Sequence, residues 1–313
     1  MHGRHIDKDP LEGISVLERG WLSSNNVLVH AAPGEDGALL VDSSHVNHAQ
    51  QTLALVRHAL RGQALALLAN THLHSDHCGG NATLQRELRV PLAVPSGMAD
   101  AVERWDDDAL SYRRTGQRIE PYRHQRVWHA GEGVRAGARD WEIIAAPGHD
   151  PHSVLLFDRA QGLLLSADAL WRNGFGVVFP ELDGESGFDD VASTLERIGT
   201  LPVRVVIPGH GAPFDDVDDA LGRAWSRLRS WREAPERHLR HGAKVLLKYH
   251  LMEEGRQPLH EVLDWAASMS HFRGSWERLG SPGSMHAWGR GLLDELLAAG
   301  ALGLEAGEVV ADR

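Results

Sequence analysis

Short apolar runs that stop at polar or glycine-rich loops recur through the first two hundred residues, at 26–30, 38–42, 64–70, 141–145, 154–158, 163–167 and 203–207. Runs of this length bounded by turn residues are the pattern of buried strands. Between them, 48–60 carries Leu53, Val56 and Leu60 at helical spacing, and 79–88 reads as a second helix. The runs 154–158 and 163–167 flank Asp158-Arg-Ala-Gln-Gly162, a loop short enough to join antiparallel strands. A hairpin there places Asp168 just past a strand end. The mixture predicts an α/β fold.

Beyond Gly211 the pattern changes. The stretch 215–240 has few β-branched residues and places Leu221, Trp225, Leu228 and Trp231 at helical spacing. Further helices are expected at 243–253 and 259–269, and the tail from Leu292 reads as a helix, a glycine stop and a short hairpin. The predicted organisation is an α/β domain over 1–214 followed by a mainly helical, winged-helix-like domain over 215–313. Trp225 and Trp231 are expected to anchor the second to the first.

Composition narrows the classes. With 42% hydrophobic and 24% charged residues, the 313-residue chain matches an ordinary folded protein. Its net charge of −11 offers no general attraction to a polyanion, so nucleic acid is not an expected partner. A single cysteine, Cys78, excludes an intramolecular disulfide and suits a reducing compartment. Residues 1–13 lack the apolar stretch of a signal peptide, and no segment has about 18 consecutive apolar residues. A cytoplasmic protein without a membrane partner is expected, and a homodimer is compatible with the sequence.

The chemistry concentrates in Thr71-His-Leu-His-Ser-Asp-His-Cys-Gly-Gly80, directly after the run 64–70 and before a helix. His72 and His74, two apart in extended chain, point the same way, while Asp76 and His77 turn back at the helix start. Imidazoles with a carboxylate suit zinc or another borderline divalent ion. Cys78 reads as a packed thiol. Three later elements follow in order: Pro147-Gly-His149, Ser166-Ala-Asp168 and Pro208-Gly-His210-Gly211.

Together these residues resemble the metallo-β-lactamase superfamily, over roughly residues 14–214, with a further anchor in Leu40-Val-Asp42. The resemblance implies an αββα sandwich for the catalytic domain. It implies two divalent ions, most simply zinc, with iron or manganese as alternatives. His72, His74 and His149 would hold one ion, Asp76, His77 and His210 the other, and Asp168 would bridge them. A hydroxide shared by the ions would attack the substrate, with Asp76 as the catalytic residue that orients it and takes its proton. The layout is closest to the glyoxalase II-like and acyl-CoA thioesterase branches, so the expected substrate is a small-molecule thioester or ester. Relatives that cleave glutathione thioesters carry a second histidine where this chain has Ser153, with His152 one residue earlier.

Lactonase activity, a single-iron persulfide dioxygenase and an RNA-cleaving phosphodiesterase are the alternatives. Substrate contacts are expected from Trp171, Arg172 and Phe175 in the loop after Asp168, from Tyr112, and from Lys244 and Lys248, four apart on a helix and able to clamp an anionic carrier. Eight histidines outside the pattern, such as His238, His250 and His271, are read as structural or solvated.

Overall fold

The computed structural model describes residues 9–311; residues 1–8, part of the stretch read for a leader, and 312–313 lie outside the described residues. In the first sheet, β1 (Ile14–Leu17), β2 (Asn26–Val29), β3 (Ala38–Val41), β4 (Leu65–Ala69), β5 (Leu92–Pro95) and β6 (Arg126–Trp128) lie in chain order. β1 to β3 pair antiparallel and β3 to β6 parallel. The second sheet runs β7 (Gly133–Ala136), β8 (Arg139–Ala145), β9 (Val154–Asp158), β10 (Leu163–Ala167) and β11 (Val205–Pro208), with only β10 and β11 parallel. The helices between these strands are α1 (Ala49–Leu60), α2 (Ser75–Cys78), α3 (Asn81–Leu88), α4 (Ala99–Arg104), α5 (Tyr112–Thr115), α6 (Phe179–Asp183) and α7 (Phe188–Thr200).

Alternation along the strands sorts the side chains into layers. Leu28, Leu40 and Leu68 face Leu53 and Val56 of α1 and Leu84 of α3. Their neighbours Val27, Leu39 and Leu67 face the second sheet through Trp141, Ile143 and Leu156. On that sheet's far side, Ile144, Leu155 and Leu164 meet Val191 and Leu195 of α7. The product is an αββα sandwich. Each such buried side chain contributes about 1.5–3 kcal/mol, and a one-residue slip would turn a whole row to the wrong layer. Register is therefore strongly specified, and with it the strand ends. β4, β10 and β11 end in the segments that carry His72, Asp168 and His210.

Downstream lie α8 (Val217–Glu233), α9 (Pro235–Glu254), β12 (Arg256–Pro258), α10 (Leu259–Ser268), α11 (Ser270–Arg278), α12 (Met285–Ala298), β13 (Leu302–Glu305) and β14 (Glu308–Ala311). α8 shares the core of α7 through Ala220, Ala224, Leu228 and Trp231, whereas α9 to α12 close their own cluster around Leu247, Val262, Phe272 and Leu292. The expected tail hairpin is β13–β14, and β12 adds a third strand to it. The helix break differs from the expectation of a helix to 240 and a new one from 243. Pro235 lacks an N–H, so the chain stops at Ala234 and restarts there. Gly242 does not stop the helix; it admits Leu182, whose Cδ2 would lie 2.7 Å from an added Cβ. Among the described residues no helix is long and apolar enough to cross a membrane.

A buried polar contact ties α9 to the sandwich. Glu253 lies with Oε1 3.8 Å from His45 Nε2 and accepts a hydrogen bond from Arg118 N at 3.1 Å, while Asn47 Nδ2 donates to its carbonyl at 2.8 Å. Burial raises the Glu253 carboxyl to about 7, with Arg118 acting against it, and burial lowers His45 to about 4. Because the folded value of Glu253 lies above its ordinary 4.5, the stability it contributes is full below that value and lost as pH rises through about 7. Glu253→Gln is expected to remove this loss. Between about pH 5 and pH 8 the stability of wild type should fall relative to the variant by on the order of 2–3 kcal/mol. Denaturant melts across that range check it, and parallel profiles would refute the assignment.

Candidate metal centre

Beyond β4 the chain bends at Thr71 and His72; Leu73 is packed in the core, 1% exposed, while His72 and His74 meet ring to ring on the other side. His74 has extended geometry as the N-cap of α2, and that single turn delivers Asp76 and His77. His149 follows β8, Asp168 follows β10 and His210 follows β11. Ala167 carries φ +46° just before Asp168, a strained conformation for a residue with a Cβ. All seven residues are buried, none more than 7% exposed.

Two groups form. Ligand-capable atoms of His72, His74 and His149 lie within 4.8 Å of one another, as do those of Asp76, His77, Asp168 and His210. Asp168 stands between them, with Oδ2 3.5 Å from His149 Nε2 and 3.7 Å from His210 Nε2, and Oδ1 3.4 Å from His77 Nε2. Asp76 Oδ2 accepts from His210 Nε2 at 3.0 Å.

The surrounding hydrogen bonds fix which nitrogen faces inward. His149 Nδ1 lies 2.5 Å from the Val177 carbonyl, which can only accept, so the proton sits there and Nε2 is left as an acceptor, 2.8 Å from His74 Nδ1. Thr71 donates its hydroxyl to Asp42 Oδ2 at 2.8 Å and so accepts from His72 Nδ1 at 3.1 Å. Asp42 Oδ2 also accepts from His77 Nδ1 at 2.8 Å. The Nε2 atoms of His72 and His77 are then buried with no hydrogen-bond partner. An orphaned buried acceptor is costly unless something coordinates it. Bare imidazole nitrogens beside carboxylates fit a divalent cation in each group, and the sequence-predicted ligand set is the set brought together.

Electrostatics favour the cation-binding forms of His72, His74, Asp76 and Asp168, while His77 is drawn towards its charged form by the carboxylates around it. Burial, then the neighbouring imidazoles of His77 and His149, drives His72 and His74 well below the usual histidine value. Burial pushes Asp76 up, yet His77 and the His210 hydrogen bond outweigh it and bring the carboxyl down to about 2. Burial likewise opposes Asp168, and His210 and His77 hold it well below the carboxylate range. His77 is lowered by burial but raised further by Asp76, Asp42 and Asp168, and ends well above the usual value.

A family model described as the metallo-beta-lactamase superfamily matches residues 19–210. The chain belongs to the metallo-beta-lactamase superfamily. Among superfamily relatives, a hydroxyacylglutathione hydrolase of Xanthomonas euvesicatoria pv. vesicatoria is 28% identical, over 69% of this chain and 73% of its own. Another, from Synechococcus sp. strain JA-3-3Ab, is 28% identical over 60% of this chain, which spans only 63% of that relative. An acyl-coenzyme A thioesterase from Gallus gallus is 26% identical over 62% of this chain and 76% of its own. In fold, a metallo-beta-lactamase family protein from Thermus thermophilus superimposes with TM-score 0.56 at 18% identity, covering 97% of this chain and all of the other. A beta-lactamase domain protein from Burkholderia ambifaria gives 0.57 at 21%, covering 96% and 93%. Both extend well past the superfamily motif region, through the helical part.

The expected substrate walls need correction. Tyr112 is 2% exposed; its hydroxyl donates to the Leu73 carbonyl at 2.8 Å and touches Cys78 Sγ, so it packs behind the ligand loop. Phe175 is 1% exposed and packs edge-on to Trp231 in the core of the second sheet. Arg172 is exposed and pairs with Asp216. Lys244 pairs with Glu295 of α12, which commits its charge to helix packing, and Lys248 is half-buried beside it. Ser153 donates to the Ala146 carbonyl at 2.5 Å as a turn cap.

Trp171 does reach the centre, and its indole N–H donates to Asp168 Oδ1 at 3.1 Å. Three aromatic residues that the sequence reading did not select join it. Trp21 stacks on His210, Phe179 tilts against His74 with centroids 4.6 Å apart, and Tyr249 of α9 meets His45 edge-on. Asp150, buried, lies 3.8 Å from His74 Nε2. Phe179 closes the very loop that carries Trp171.

Proposed function

We propose that this chain is a two-metal hydrolase that cleaves a small-molecule thioester or ester. The observation that carries the reading is the pair of ligand groups sharing Asp168. Two divalent ions held there, zinc on the chemistry of the donors, would activate water at neutral pH and stabilise the developing oxyanion. His72, His74 and His149 would hold one, and Asp76, His77 and His210 the other, with Asp168 between them. Asp76 is held ionised beside His77 and His210, so its carboxylate would orient the attacking water and take up its proton. Asp42 and the Val177 carbonyl keep His77 and His149 in the required tautomers. The choice of thioester is supported by the relatives named above.

The lone buried Cys78 suits a reducing cytoplasm. Acyl-CoA, acyl-glutathione and lactone substrates should be offered to the metal-loaded protein and to His72→Ala. At least one thioester or ester is expected to turn over on wild type more than about a hundredfold faster, the scale of losing one electrostatic component of a site. If none outpaces the variant, the hydrolase reading fails. A count of one iron per chain by elemental analysis would point instead to a single-iron dioxygenase.

A further inference from the structure

Trp21 is 57% exposed, and among the described residues only it and Leu304 are large apolar side chains left to solvent. Its loop is nevertheless held on every side. Ser24 N donates to the Asp76 carbonyl at 2.9 Å and Asn25 N to the Gly209 carbonyl at 2.7 Å. Asn25 Nδ2 donates to the carbonyls of Pro208 and Gly211, and Tyr249 of α9 donates its hydroxyl to the Leu22 carbonyl at 3.1 Å. Backbone of both ligand loops and a helix of the appendage thus fix the position of this indole. A flexible loop would fold such a ring away from water; this one holds it out.

The ring lies over the metal centre. It stacks on His210 at 5.3 Å and 11°, and meets Trp171 edge-on at 5.5 Å; Trp171 in turn meets His210 at 5.5 Å. Two indoles therefore form a corner against one ligand histidine, while Phe179 flanks His74 and His149 of the other group. These rings are the apolar surface beside the two groups. An exposed apolar surface beside a polar, buried centre is the composition of a ligand site.

We infer that Trp21 and Trp171 form the acyl subsite, with Trp21 the specificity-determining residue for an extended apolar acyl chain. The inference rests on the hydrolase reading and deepens it. Each methylene laid against the corner is worth about a fourfold gain in binding. On metal-loaded full-length protein, kcat/KM for decanoyl and acetyl thioesters of the same thiol should differ strongly in favour of decanoyl. Trp21→Ala should shrink that ratio at least about tenfold, chiefly through KM, and Trp21→Phe should restore most of it. An unchanged ratio in Trp21→Ala overturns the subsite.

A second measurement does not need turnover. Decanoate should quench indole fluorescence of the metal-loaded protein where acetate does not, and Trp21→Phe should lose much of that quenching, the remainder coming from Trp171. Quenching without turnover of any thioester or ester keeps the subsite and sinks the hydrolase reading. Turnover with neither chain-length preference nor quenching does the reverse.

Discussion

Asp168→Ala is expected to cost more activity than any other single change, with kcat/KM falling by about a thousandfold or more. Asp168 is the residue within 3.7 Å of nitrogens from both ligand groups, through His77, His149 and His210. Removing one partner from a buried charged set typically costs about 3–5 kcal/mol, or roughly a hundred- to several-thousandfold in metal affinity. The fold itself should survive, because Asp168 lies past the end of β10 and its side chain supports no layer of the sandwich. Added zinc should raise the Tm of wild type by mass action and raise that of the variant far less. Metal content, Tm with and without zinc, and hydrolysis of the best thioester form the check. Full activity in a variant that retains both ions would show that Asp168 does not join the groups.

The ligand set is legible along the chain because its geometry is local. His72-Leu-His74 puts two histidines on one side of a short loop, one turn of helix presents Asp76 and His77, and the remaining three ligands each sit within a few residues of a strand end. No knowledge of packing is needed for that. Asp42 reads along the chain only as a strand anchor, although its carboxylate orients both Thr71 and His77. Nothing in its neighbourhood along the chain says that it meets residues about thirty positions later.

The walls depend on packing, and there the sequence misleads. Phe175 and Phe179 lie on one loop with similar neighbours, yet one enters the core beside Trp231 and the other tilts on His74. Phe175 directly follows the turn between Trp171 and Gly174, whose backbone groups bond to each other, whereas Phe179 is the first residue of α6. Tyr112 looks like a candidate wall because tyrosines line many sites, but its hydroxyl is used by the Leu73 carbonyl. The same limit applies to the fold. Most strands stand out in the sequence as apolar runs, whereas β6 and β7, with exposed residues, and the short β1 and β5 do not, although β5 is buried throughout.

Gly209→Ala is expected to lower kcat/KM by about a hundredfold or more while leaving the sandwich folded. A Cβ at Gly209 would lie 2.1 Å from Asp168 Oδ1 and 3.0 Å from His77 Cε1 and the Ala167 carbonyl carbon. The backbone cannot retreat easily, since Gly209 N donates to Ala167 and its carbonyl accepts from Asn25, both at 2.7 Å. Asp168 must therefore move, and a misplacement of about 1 Å in a catalytic constellation costs on the order of a hundredfold. Gly222→Ala in α8, where an added Cβ meets nothing within 4 Å, is the control. It should be neutral in activity and slightly stabilising, by about 0.5–1 kcal/mol. The decisive comparison is the double variant. If Gly209 matters because it leaves room for Asp168, adding Gly209→Ala to Asp168→Ala removes little further activity or metal affinity, as expected for residues acting through one contact. Full additivity would mean that the methyl acts elsewhere, through His77 or the Ala167 backbone.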